Sequence, residues 1–187
     1  GTFNGNGKTI SGIRIYNDVF NYQGLFGHIG ADGKVQNVIL ADAIISGGNY
    51  VGGIAGCIDG GEISNCIVGK NVAINGYYDV GGILGYSNQG NLIDNLAIDV
   101  QIAIGDNIYY FVNGYCYFIY GNDEYGNKKD NFYYNCSVRV NGNVYSSSPT
   151  EESDGIMPAH IITAAKSISI KSASDKILSY SGDYYTS

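Results

Sequence analysis

Apolar residues in this chain come in short clusters broken by single Asn, Gly or Asp positions, and the clusters return at a near-constant interval. Val35, Val38 and Leu40 around Asn37 are repeated by Ile63, Cys66 and Val68 around Asn65, and again by Ile93, Leu96 and Ile98 around Asn95. The series extends to Ile10, Ile13 and Ile15, where Gly12 takes the place of the asparagine, and to Tyr133, Cys136 and Val138 around Asn135. In phase with it runs a glycine clasp, Gly24-Leu25-Phe26-Gly27, Gly53-Ile54-Ala55-Gly56 and Gly82-Ile83-Leu84-Gly85, each copy beginning 29 residues after the last. Self-similarity at a fixed period in this range marks a stacked-repeat architecture.

The clusters are too short and too rich in β-branched residues for helices, which need apolar positions at i, i+3, i+4 and i+7 with good helix formers between them. Gly, Asn and Asp interrupt them every few residues, and these belong in turns. A leucine-rich βα repeat needs an alternating helix that the pattern lacks. The expected fold is therefore all-β: a parallel β-helix of about five to six turns, right-handed by the usual preference of parallel crossovers, with a C-terminal cap. The fifth cluster arrives late, which places an insertion of about ten residues between Phe118 and Asn131. The expected organisation is repeats over 1–145, a polar linker over 146–155 and a capping segment over 156–187, in which 159–166 reads as one or two helical turns and 167–171 as a strand.

Within such a coil the clasp glycines Gly24, Gly27, Gly53, Gly56, Gly82 and Gly85 have two physical readings: bends that need positive φ, and close approach to a neighbouring backbone. The fourth clasp, Phe111-Val112-Asn113-Gly114, keeps only its last glycine. Asn37, Asn65, Asn95 and Asn135 fall at one height and are either a stacked amide ladder or exposed strand residues. Cys66 and Cys136 read as equivalent positions two turns apart, as do Cys57 and Cys116. Two strand spacings amount to roughly 9.6 Å, beyond disulfide reach, so all four thiols are expected to be free.

The opening Gly1-Thr2-Phe3-Asn4-Gly5-Asn6-Gly7-Lys8-Thr9-Ile10-Ser11-Gly12-Ile13, the clasp Gly24-Leu25-Phe26-Gly27 and the Val-Gly-Gly-Ile runs at Val51 and Val80 resemble GLUG-repeat proteins over residues 1–142. That family occurs in bacterial secreted and surface proteins, including adhesin-like chains and the non-catalytic N-terminal region of immunoglobulin A-specific metallopeptidases. The resemblance implies a β-helix and a secreted or cell-surface setting. It implies no activity, because the recurring residues are those that build the coil.

Composition narrows the partners. Ten Lys and Arg against 17 Asp and Glu give a net charge of −7, a field that disfavours nucleic acid and anionic membrane. No apolar run is long enough to cross a bilayer. There is no His-Glu-x-x-His motif, nucleophile elbow or phosphate-cradling loop, and no close cysteine pair of the kind zinc sites use, so neither cofactor nor metal is expected. Asp42, Asp59, Asp79, Asp94, Asp99 and Asp106 are candidate acids for a glycosidase-type pair, and none is singled out by a partner. His28 replaces Cys57 and Tyr86 at one repeat position, and the Asn122–Asp130 loop lacks the ligand spacing of an EF-hand.

Eighteen tyrosines are the remaining surface signal. They crowd the fourth turn, where Tyr109, Tyr117, Tyr120 and Tyr125 form a candidate binding face or else pack the end of the coil. The expected function is a non-catalytic adhesion, binding or spacer module whose partner is a host or cell-surface glycan or protein, joined to further repeats or domains of the same chain. The alternative is the substrate-positioning region of a larger secreted enzyme, peptidase or polysaccharide-active.

Overall fold

A computed structural model of the protein describes residues 1–104, 116–117, 120–124, 126–134, 136–140, 143–146 and 156–158. Among them there is no helix, and strands stack in parallel through about four turns of a β-solenoid. Four sheets run along it. The largest is built on Lys34–Ala41, which pairs with Thr2–Ser11 on one side and with Glu62–Ser64 and Ile67–Val68 on the other, followed by Asn91–Ile93, Leu96–Ile98, Asn127–Lys129 and Asn131–Tyr134. A second sheet stacks Arg14–Tyr16, Ile44–Ser46, Val72–Gly76, Val100–Ile104 and Ser137–Val140. The third holds Asn49–Gly52, Tyr78–Gly81 and Cys116–Tyr117, and the fourth Phe26–Ile29, Ala55–Asp59, Leu84–Asn88 and Tyr120–Glu124.

Strand pairing converts the sequence period into columns of like residues. Val35, Ile63 and Leu92 stack inward, as do Leu40, Val68, Ala97 and Tyr133, and Ile45, Ile74, Ile102 and Val138; all are buried and belong to one core. A fully buried Ile, Leu or Val side chain contributes roughly 1.5–3 kcal/mol, so each column stabilises its turn and the turns beside it.

The corners are set by residues in the left-handed region. Asn37, Asn65, Asp94 and Asp130, at φ 57, 57, 63 and 55°, crease the largest sheet at the same place in each turn. Gly12, Asp42, Asn71 and Asp99, at 79, 48, 61 and 55°, turn the chain from the first sheet to the second. Tyr22, Tyr50 and Asp79 form a third column, at 61, 61 and 48°. Left-handed φ costs an ordinary L-residue roughly 1–2 kcal/mol, and Gly, Asn and Asp tolerate it best, which explains why two of the columns hold little else.

These columns correct several expectations. Positive φ falls on none of the six clasp glycines. Gly24, Gly53, Gly56 and Gly85 serve close approach instead: a Cβ on Gly56 would lie 2.4 Å from Tyr22 C, and one on Gly85 2.4 Å from Val51 N. The ladder hydrogen bonds continue through the clasp, with Gly53 N donating to Gly82 O at 3.2 Å and Ile54 N to Ile83 O at 2.9 Å. Asn95 does not stack on Asn65. The register from the second to the third turn places Asp94 there, and Asn95 falls in the column of Val38 and Cys66, with Asn131 above it. Leu96 accordingly follows Ile67, not Cys66. Gly12 aligns with Asp42 instead of Asn37. Asn135 lies outside the described residues.

The insertion also lies elsewhere. Gly76 pairs with Ile104, 28 residues on, whereas Val80 pairs with Cys116, 36 residues on, and that longer separation persists through the rest of the fourth turn. Eight extra residues therefore enter between Ile104 and Cys116. The clasp of this turn is not 111–114 but the run ending at Gly121, which stacks on Gly85. Asn143–Ser146 folds back antiparallel on Ser137–Val140, and Ile156–Pro158 adds in parallel to Asn131–Tyr133. The expected helical and strand segments at 159–171 lie outside the described residues.

Candidate binding face

Of the four aromatic residues expected to form a site, Tyr109 and Tyr125 lie outside the described residues. The backbone of Tyr117 pairs with Gly81 in the third sheet. Tyr120 takes the register position of Ala55 and Leu84, both fully buried, and its ring packs half-buried against the core with Lys128 Nζ 5.2 Å from its centroid. Tyr120 is thus a core-side residue, because the strand that carries it continues an inward column.

A different aromatic group gathers at the other end. Tyr22 and Tyr50, adjacent in one corner column, stack with centroids 5.1 Å apart and planes at 16°. Tyr78 meets Tyr50 edge-on at 6.2 Å, Tyr86 lies tilted at 5.2 Å, and His28 approaches Tyr22 edge-on at 6.3 Å. Burial, then the neighbouring Asp79 carboxylate, pushes the Tyr50 phenol above its ordinary value. His28 does share its column with Cys57 and Tyr86. The expectation missed this group because Tyr22, Tyr50 and Tyr78 sit outside the clasp and apolar clusters that define the period; the recurrence of Tyr22 and Tyr50 before Gly24 and Gly52 was the available signal.

The candidate acids are dispersed. Asp42, Asp79, Asp94 and Asp99 hold left-handed corners, at φ 48, 48, 63 and 55°. Asp42 accepts from Asn71 Nδ2 at 2.8 Å and Asp59 from Asn88 Nδ2 at 2.9 Å, each across one turn. Asp106 lies outside the described residues. Asn37 Nδ2 donates to Asn4 Oδ1 at 3.0 Å and Asn65 Nδ2 to Asn37 Oδ1, so part of the expected amide ladder forms.

A second, fully buried amide ladder was not foreseen. Asn95 Oδ1 accepts from Cys66 N at 3.0 Å, and Asn95 Nδ2 donates to Ile63 O at 2.9 Å and to Asn131 Oδ1 at 2.9 Å. Asn131 repeats the arrangement one turn on, accepting from Asn95 N at 3.1 Å and donating to Leu92 O at 2.8 Å.

Cys57, Cys66 and Cys136 are buried free thiols. The columns behind that expectation differ: Cys136 stacks on Val100, and Cys116 on Val80. Burial, then Asp59, pushes the Cys57 thiol up to about 11. Among the described residues no group of three or more His, Cys, Asp and Glu is placed to hold a metal ion, and no helix is long and apolar enough to cross a membrane.

No family model matches the chain, and no solved structure matches it. Over 85 residues, 46% of this chain, it is 39% identical to Halomucin of Haloquadratum walsbyi, of which that stretch spans about 1% of the length.

Proposed function

We propose that this chain is a non-catalytic binding and spacer module of a secreted or cell-surface protein, a right-handed β-helix of the GLUG-repeat type that acts in adhesion. The observation that carries this reading is the use of the recurrent residues. Clasp glycines, left-handed Asn and Asp corners and inward apolar columns all serve the stacking of turns, which leaves partner recognition to side chains that differ from turn to turn. Such an array transmits load along a continuous ladder and holds its faces at fixed spacing. The similarity to a stretch of the much longer Halomucin agrees with a repeat unit used within a large chain. The strands Asn143–Ser146 and Ile156–Pro158, laid along the last turn, support a C-terminal cap that covers the unpaired edge.

The test is adherence. Beads carrying the purified chain at one terminus are scored for attachment to a panel of bacterial and animal cells and to bare polystyrene. Cell-selective attachment, competed by soluble chain, is expected. Attachment to no cell type, or equal attachment to bare polystyrene, overturns the proposal.

A further inference from the structure

Among the described residues the turns differ most in length at one corner; elsewhere the first turn gains two residues at the crease between Asn4 and Lys8, and other differences are of one residue. Between the second and third sheets the second turn has three residues between Ser46 and Tyr50, and the third has three between Asn75 and Asp79. The first turn has five at this point, between Tyr16 and Tyr22, which pair with Ser46 and align with Tyr50. The eight-residue excess of the fourth turn enters at the same corner, after Ile104. Length changes at this corner leave the ladder on either side intact, and in repeat arrays insertions map to loops on one face, often the binding face.

The first-turn loop carries large apolar side chains into water. Among the described residues five large hydrophobic side chains are exposed, and four of them are here: Tyr16 at 69%, Val19 at 86%, Phe20 at 64% and Tyr22 at 45%. The backbone beneath them is anchored. Asn17 N donates to Ser46 O at 3.1 Å, Gly48 N to Phe20 O at 2.8 Å, and Tyr22 N to Asn49 O at 2.9 Å, while Asn21 Oδ1 accepts from Asn49 N at 2.9 Å. The Tyr22 ring is backed by Tyr50, so its orientation is set before any ligand arrives.

From this geometry we propose that the Tyr16–Tyr22 corner is a binding site for a neutral glycan chain, with Phe20 and Tyr22 as stacking platforms. The inference rests on the binding-module reading above. Aromatic faces take the C–H surface of a sugar ring, and its hydroxyls can be met by the amide of Asn17, by Asn21 Nδ2, whose Oδ1 accepts from Asn49 N, and by Gln23 Oε1, whose Nε2 donates to Asn21 O at 2.9 Å. A polyanionic glycan lacks its counter-charge here: no Lys or Arg occurs between Ile15 and Gly33, Asp18 adds a negative charge, and Arg14 is engaged with the carbonyls of Ile13 and Asp42. The four side chains together expose roughly 500 Å², less than the ~800 Å² per partner of a stable protein interface and sufficient for a short run of sugars.

The test is affinity electrophoresis of the whole chain in gels containing dextran, galactomannan, xyloglucan or hydroxyethylcellulose, with alginate as the polyanion. At least one neutral polymer is expected to retard the protein, and alginate not to. The double variant Phe20→Ala/Tyr22→Ala should bind about tenfold more weakly or less, whereas Lys129→Ala, exposed on the largest sheet, should bind as the parent does. Val19→Asp, at the most exposed position, supplies a second loss-of-binding variant should the double variant melt early. Retardation by no neutral polymer, by alginate alone, or equally for parent, double variant and Val19→Asp overturns the site. Bead adherence is measured on the same variants. Adherence that survives the double variant, or that protease treatment of the cells abolishes and glycosidase treatment does not, overturns the glycan site while the adhesion reading stands. Retardation by a neutral polymer without adherence supports the site and removes the adhesion reading.

Discussion

Replacing Asn95 by Leu tests whether the buried amide ladder holds the third turn in place. Leu has the same number and branching of side-chain heavy atoms as Asn and somewhat greater bulk, so the change removes hydrogen bonds without opening a cavity. Cys66 N loses its acceptor at 3.0 Å and Ile63 O its donor at 2.9 Å, while Asn131 Oδ1 retains the Asn95 backbone N–H at 3.1 Å. Two buried backbone groups lose a partner at about 1–3 kcal/mol each, or about 2–6 kcal/mol together. The apolar side chain, buried in place of an amide, offsets on the order of 1–2 kcal/mol. The expected net loss is about 3 kcal/mol, which at an m-value near 2 kcal/mol/M lowers the urea midpoint by roughly 1.5 M. Urea unfolding followed by far-ultraviolet circular dichroism measures it. A midpoint within about 0.5 M of the parent would show that these backbone groups find other partners and that the ladder is not what holds the turn.

Two further predictions concern close approach and buried ionisation. Gly56→Ala places a Cβ 2.4 Å from the Tyr22 backbone and should cost about 1–3 kcal/mol or more, whereas Gly30→Ala, with nothing within 4 Å, should stay within about 0.5 kcal/mol; equal melting temperatures for the two would refute the close-packing account of the clasp. For Cys57, raised in the folded chain from 9.0 to about 11, the unfolded chain releases the proton first, so stability should hold below pH 9 and decline between 9 and about 11; a Cys57→Ala variant should lose that part of the slope, and an unchanged slope would refute it.

The period alone determined the architecture. Short β-branched clusters 28–29 residues apart admit few ways of being buried other than parallel stacking, and the inward columns that begin at Val35 and Leu40 were readable for that reason. Three features depended on tertiary pairing. The register slips by one between Ile63 and Leu92, which sequence matching of Ile63 with Ile93 could not detect, because Leu92 and Ile93 are both apolar and only strand pairing selects which points inward. That slip moves Asn95 from a corner into the core and puts Asp94 at the corner, so that amides bond across turns in two separate places, Asn4, Asn37 and Asn65 at the crease and Asn95 with Asn131 in the core. The clasp glycines were visible, but their role was not: a glycine reads the same in sequence whether it supplies positive φ or lets two backbones touch, and only the positions of Tyr22, Val51 and Ala55 in neighbouring turns distinguish the two. The density of tyrosines along the chain says nothing of exposure, which strand pairing decides residue by residue. Tyr120 continues an inward column and packs against the core, while Val19 and Phe20 reach solvent on a loop two residues longer than its counterpart in the next turn, flanked by the exposed Tyr16 and Tyr22.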